Sequence, residues 1–333
     1  MKSVLRWILS SVALCLLVLF LFLWTGWSRL TEQPVFGVTW SHPYALSLGI
    51  DPWAGLQATL TDLHVKLFRL PAYWTEIEAE RGRLDWSILD RQMDMLARSD
   101  AKAYVVVGRK QPRWPEFWAP EWTKTLPEAD QETVQLAYVQ ATVERYKNHR
   151  ALAGWQVENE PSFGWSFGTE ALQSREFVTR EMELVKKLDP KHLVYTSESG
   201  ELSTWTRYRK SVDTVGISTY RVITSPRFGT IRYWFVPPYL YAHKAWLVRP
   251  WMKNIFVSEF QMEPWADTDL TNLTVEQQFK TFDTKQMDKN FWFAERMQLS
   301  PLLFWGTEWW YWMKTKGHPE FWDAAKLFFA KHQ

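Results

Sequence analysis

After Pro34 the chain alternates short apolar runs with amphipathic segments, and it does so eight times. No other feature narrows the fold as much. Strand-like runs lie at 35–39, 65–70, 102–107, 152–157, 193–196, 214–218, 255–258 and 302–305. Val105, Val106 and Val107 stand in a row, and their branched side chains suit a pleated, buried strand. Apolar residues at helical spacing predict helices over 52–63, 87–98, 132–148, 170–188, near 201–209, over 275–297 and over 319–331. Asp51 and Pro52 suit the N-cap and first position of the first helix, and Asp189-Pro190 stops the fourth. Apolar strands separated by helices make a parallel sheet. Eight such units predict an α/β fold, the (β/α)8 TIM barrel, which takes roughly 250 residues. Residues 35–333 suffice for it as one domain. Two stretches exceed a minimal repeat, 110–127 and 220–250. Both follow strands, so both emerge on the face where this fold carries its sites.

The N-terminus reads differently. Residues 7–24 carry no charge and are nearly all apolar. At ~1.5 Å per residue they cover most of a ~30 Å hydrocarbon core, and Trp27 suits the interface beyond. Lys2 and Arg6 precede the run, which keeps the N-terminus cytoplasmic and sends the rest across. A cleaved signal needs small residues at the cut, but Leu23-Trp24-Thr25 is bulky and no A-x-A pattern precedes Arg29. A lipoprotein signal needs a small residue before its cysteine, and Leu14 precedes Cys15. The expectation is one N-terminal hydrophobic helix. Residues 1–27 then form a single-pass membrane anchor or uncleaved signal, with 7–24 in the lipid bilayer, and 28–34 form a linker. A cleaved signal is the alternative. In either case the domain at 35–333 is extracytoplasmic, periplasmic or extracellular.

Composition excludes several classes. The net charge of +2 comes from Lys2 and Arg6, and the remainder is balanced, so no nucleic acid partner is expected. Cys15 is the only cysteine, so the soluble part has neither disulfide nor thiol nucleophile. The seven histidines show no HExxH spacing, and no GxGxxG or Walker motif is present; no metal and no cofactor are expected. Tryptophan is abundant, 23 residues. Its flat rings either stack on the C–H faces of sugars or pack the interior.

Two segments place a carboxylate at the end of an apolar strand. One is Gly154-Trp155-Gln156-Val157-Glu158-Asn159-Glu160-Pro161; the other is Ile255-Phe256-Val257-Ser258-Glu259-Phe260. They lie three repeats apart, as the fourth and seventh strands. At a barrel's mouth such a pair has the parts for glycosidic cleavage: one carboxyl protonates the leaving oxygen while the other attacks the anomeric carbon or activates water. Taken singly, either glutamate reads more readily as a structural ion-pair member.

With Asn159-Glu160-Pro161 and Glu259 in place, the chain resembles the clan-A glycoside hydrolases, the superfamily of many cellulases, mannanases and β-galactosidases, over about residues 35–312. The resemblance implies that Glu160 is the acid/base, that Asn159 contacts a sugar 2-hydroxyl, and that Glu259 is the nucleophile. It implies further that Arg69 keeps the nucleophile ionised, that Tyr220 hydrogen-bonds it, and that Trp305 is a sugar platform. The implied activity is retaining hydrolysis of a β-linked oligo- or polysaccharide through a covalent glycosyl-enzyme. Several families of this clan carry His-x-Tyr at the sixth strand, where this chain has Ser218.

Other positions stay open. His42 is a substrate contact or a plain loop histidine. Trp114 lines a distal subsite or packs its own loop. Glu198 stands in reserve should the seventh strand be misplaced. The alternatives to hydrolysis are a catalytically inactive sugar-binding or envelope barrel, and a transglycosylase using the same two glutamates.

Overall fold

A computed structural model describes every residue except 1, 28–30, 32, 165–171, 226–228, 267 and 333. Eight parallel strands close into a barrel: β1 (Phe36–Thr39), β2 (Leu67–Pro71), β3 (Lys102–Val107), β4 (Leu152–Val157), β5 (Leu193–Ser199), β6 (Thr214–Thr219), β7 (Asn254–Gln261) and β8 (Leu302–Trp305). Each pairs with its neighbours in sequence, and β8 closes onto β1. The expected TIM barrel is the observed fold.

The barrel interior is filled by alternating large and small residues. Tyr104, Tyr195, Phe256 and Leu303 form a cluster apart from the main core. Tyr104 and Phe256 sit on strands that are not neighbours, yet their rings are 5.7 Å apart, so they meet across the interior. The even strands between them supply glycines. A Cβ on Gly154 would lie 3.3 Å from the Tyr104 ring, and one on Gly216 would lie 3.1 Å from the Tyr195 ring and 2.6 Å from Ser258 Cβ. Such size complementarity is how small barrels pack solid. One layer higher the inward positions turn polar: Thr39, Arg69, Gln156, Ser197 and Ser218, all buried. An aromatic plug thus supports a polar rim.

One irregularity decides the site. Between β6 and β7 the register runs Ile217↔Val257 and then Ser218↔Glu259; against β8 it runs Leu302↔Val257 and then Phe304↔Phe260. One extra residue sits in β7 at Ser258–Glu259. Phe256 faces inward, while Val257 and Phe260 both join the outer core. Strict alternation would send Glu259 outward with Val257. The bulge re-aims it into the mouth.

Several element boundaries differ from expectation. β7 runs on through Gln261, so Glu259 lies inside the strand rather than at its tip. No helix forms near 201–209. Glu198 instead accepts the backbone N–H of Trp205 at 3.2 Å and the hydroxyl of Ser203, which holds the connection in turns. The stretch 220–250 holds an antiparallel hairpin (Val222–Ser225 with Gly229–Arg232) and a helix, Tyr239–Val248. Pro237 and Pro238 open that helix, a position where proline is tolerated. The expected helix over 275–297 is two, Val275–Phe279 and Thr284–Arg296, because Thr274 and Asp283 each cap a separate start. The helix expected from 170 begins at Arg175 behind the Ser174 cap, and its first two expected residues lie outside the described ones.

The N-terminal helix spans Lys2–Trp24. Its Arg6–Trp24 portion is long and apolar enough to cross a membrane, and it is exposed.

Candidate active site

Arg69, inward on β2 and fully buried, organises the mouth. Its Nη1 donates to Glu259 Oε2 at 2.8 Å and to the Ser258 carbonyl at 3.1 Å; its Nη2 donates to Asn159 Oδ1 at 2.6 Å; its Nε donates to Gln156 Oε1 at 2.9 Å. One guanidinium therefore joins β2, β4 and β7. Its planar fork can satisfy all of these at once, where a lysine ammonium cannot. A buried cation needs such pairing.

Glu259 is closed in on both oxygens. Oε2 meets Arg69, and Oε1 accepts the Tyr220 hydroxyl. Burial and the Glu259 charge push the Tyr220 phenol well above its ordinary range, so it stays a donor.

Glu160 differs. Its backbone lies in the left-handed region at φ 46°, and so does that of Glu158 at φ 58°. The Ser197 hydroxyl accepts the Glu160 N–H at 2.9 Å and donates to Asn159 Oδ1 at 2.9 Å. Burial first, and then the nearby Glu259 charge, push the Glu160 carboxyl up to about 8, against the pull of Lys110 and the Ser218 hydroxyl. Two carboxyl groups in one mouth thus stand in different settings, one clamped by a guanidinium and a phenol, the other pushed toward its protonated form. That split marks an acid and a nucleophile or base.

Asn159 accepts on Oδ1 from Arg69, Ser197 and Gln156, so its amide NH2 is the end left for a ligand. Lys110 Nζ donates to the Asn159 carbonyl at 3.0 Å and pairs with Glu116 at 3.2 Å. Below it, Glu158 accepts the N–H groups of Arg109 at 2.8 Å and Lys110 at 2.6 Å. Gly108, at φ 108°, makes room for it, since a Cβ there would lie 2.3 Å from Glu158 Oε1.

A second charge cluster lies on the rim. Arg113 reaches from the segment after β3 to Glu263 and, at 2.8 Å, to Glu308. Its guanidinium lies 3.7 Å from the Tyr44 ring and 3.8 Å from the Trp305 ring. One face of Trp305 is thus covered by a cation. Glu308 also accepts the Ser41 N–H at 2.5 Å, and the Tyr44 hydroxyl donates to Glu263 at 3.1 Å.

The structure brings Arg69, Asn159, Glu160, Tyr220 and Glu259 together. His42 stands in a neighbouring group, with Nδ1 2.9 Å from Glu76 and its ring against Trp53. Trp114 is exposed at the turn of the 110–118 segment. On β5, Tyr195 and Ser197 face inward, so Glu198 faces the outer layer and does not join the pair. Sequence reasoning missed Gln156, Ser197, Lys110, Arg113 and Glu263. The first two were legible as polar residues at inward positions; the others depend on where a loop folds.

No family model matches the chain. Among solved structures, a GH5_18 enzyme from Streptomyces cattleya in complex with GlcNAc superposes with a TM-score of 0.59 at 13% identity, over 82% of this chain and 70% of that one. Native xylanase 10B from Thermotoga maritima gives 0.56 at 14% identity, over 82% and 83%. Both superposed enzymes share the closed parallel (β/α)8 barrel of this chain. In sequence, 102 residues are 31% identical to endo-1,4-beta-xylanase 4 of Arabidopsis thaliana, covering 29% of this chain and 17% of that protein. A further 69-residue match is 33% identical to mannan endo-1,4-beta-mannosidase F of Aspergillus clavatus, covering 21% of this chain and 15% of that protein. These matches thus span less than a fifth of either relative's length.

Proposed function

We propose that the chain is a retaining glycoside hydrolase acting on a β-linked oligo- or polysaccharide, with residues 35–333 as its catalytic domain. The observation that carries this reading is the contrast between Glu259, clamped by Arg69 and Tyr220, and Glu160 beside it, whose carboxyl is pushed up to about 8. Glu259 attacks the anomeric carbon while the Glu160 proton passes to the departing oxygen. The C1–O bond breaks and a glycosyl ester forms on Glu259. Water then gives a proton to Glu160, attacks C1 and frees Glu259. Asn159 donates its amide to the neighbouring sugar hydroxyl. The step needs no further group.

Residues 1–27 act as the anchor, with residues 7–24 in the bilayer and the barrel outside the cytoplasm. The xylanase and mannosidase relatives make β-1,4-xylans and β-1,4-mannans the first substrates to try.

The test is a panel of aryl β-glycosides and β-glycans given to the wild type, Glu160→Gln and Glu259→Gln. Turnover by the wild type alone supports the proposal. Equal turnover by all three rejects these residues, and binding without any product points to a sugar-binding barrel.

A further inference from the structure

The N-terminal helix does not end in a free tether. Trp27 stacks on the His243 ring at 4.6 Å and meets Trp246 edge-on at 5.1 Å; Phe22 meets His243 at 5.0 Å. His243 also hydrogen-bonds the backbone of Phe22 and Thr25. Gly26 passes so close that a Cβ there would lie 2.7 Å from the Gln298 amide and 2.8 Å from the Tyr239 ring. The end of a helix long enough to cross a membrane is therefore packed onto the helix Tyr239–Val248.

Beside this contact lies an exposed patch. Trp246, Leu247 and Trp251 are 47%, 55% and 56% exposed, and Trp27 is 39% exposed. Arg249 and Lys253 are exposed among them, with Lys253 3.5 Å from Asp213, also exposed. Aromatic rings mixed with basic residues at the end of an apolar helix are the composition of a bilayer interface. Direct contact between Trp27 and Trp246 puts both at one depth.

We infer that the segment 246–253 is a second membrane-contact element, seating the barrel directly on the lipid headgroups. This rests on the anchor reading of residues 1–27. It sets the orientation of the enzyme. The patch lies where the chain enters Asn254, the first residue of β7, which is the end of the barrel away from the mouth. Glu160 and Glu259 then open away from the bilayer, toward sugar polymers lying beyond it.

The experiment uses the full chain in vesicles of phosphatidylethanolamine and phosphatidylglycerol. A nitroxide is placed on native Cys15, on Leu247→Cys or on Asp94→Cys, the latter two in a Cys15→Ser background. Asp94 is exposed on the helix Ser87–Arg98, between β2 and β3 and so diametrically across the barrel from the patch. Collision with oxygen is compared with collision with a water-soluble nickel chelate. The expected result is a deeply immersed Cys15, a Leu247 label several-fold more oxygen-biased than Asp94, and an aqueous Asp94. An immersed Cys15 with Leu247 as aqueous as Asp94 overturns the seating and leaves the anchor standing. An aqueous Cys15 overturns the anchor and the seating together.

Discussion

Arg69 and Glu259 meet at 2.8 Å in the buried mouth of the barrel, from strands separated by almost half its circumference. The pair has little solvent to weaken it, and removing one member leaves a buried charge alone, which costs about 3–5 kcal/mol. Arg69→Met is expected to lower the melting temperature and kcat/KM together, because Glu259 loses its cation and Asn159 its anchor. Thermal denaturation and the pH–rate profile of kcat/KM measure both effects. An unchanged kcat/KM in a destabilised protein would mean that Arg69 is only structural.

The alkaline limb belongs to Glu160. Its carboxyl is pushed up to about 8, so the acid form that catalysis needs is lost as pH rises through that value. kcat/KM for an unactivated substrate should fall above about pH 8 in proportion to the remaining proton. Glu160→Ala should flatten that limb. It should also cost 10²–10⁴-fold (about the general-acid contribution) on poor leaving groups and much less on a dinitrophenyl glycoside.

The same shift has a stability consequence. A carboxyl raised in the folded state binds its proton more tightly there than in the unfolded chain. Stability from this group is therefore full below the ordinary carboxylate range and is lost as pH rises toward about 8. Glu160→Gln removes that loss. It should melt above the wild type by at least about 2 °C at pH 8 and by less at pH 5. Equal melting temperatures at both values would argue against a raised Glu160 carboxyl.

Gly108→Ala should be far more damaging than its size suggests. The new methyl would enter the space of Glu158 at a backbone angle that disfavours any side chain. Glu158 would then release the N–H groups of Arg109 and Lys110, and Lys110 supports the Asn159 carbonyl. A loss of about 2–4 kcal/mol is expected, read by denaturant unfolding, with a matching fall in activity.

How much of this was legible in the sequence follows from which interactions are local. Strand β4 and the Asn159-Glu160-Pro161 corner could be read because an apolar run and a proline fix both locally. Glu259 could be named as a candidate, but not for the right geometric reason. Alternation from Phe256 sends it away from the mouth, and the bulge that corrects this depends on pairing with β6 and β8. Arg113 was hidden for a similar reason. Its partners Glu263 and Glu308 lie far along the chain, and only the fold brings them to one rim. The helix Tyr239–Val248 was obscured by its prolines, which read as loop and serve here as its opening.

The most direct measurement is the covalent intermediate itself. The wild type is incubated with a 2-deoxy-2-fluoro-β-glycosyl fluoride of whichever sugar its aryl glycoside assay accepts, and intact and peptide masses are recorded. One added fluoroglycosyl group on the peptide carrying Glu259, absent from Glu259→Gln, is the expected result. A catalytically active protein that gains no such mass, or gains it on another residue, would contradict the assignment of Glu259 as the attacking carboxylate.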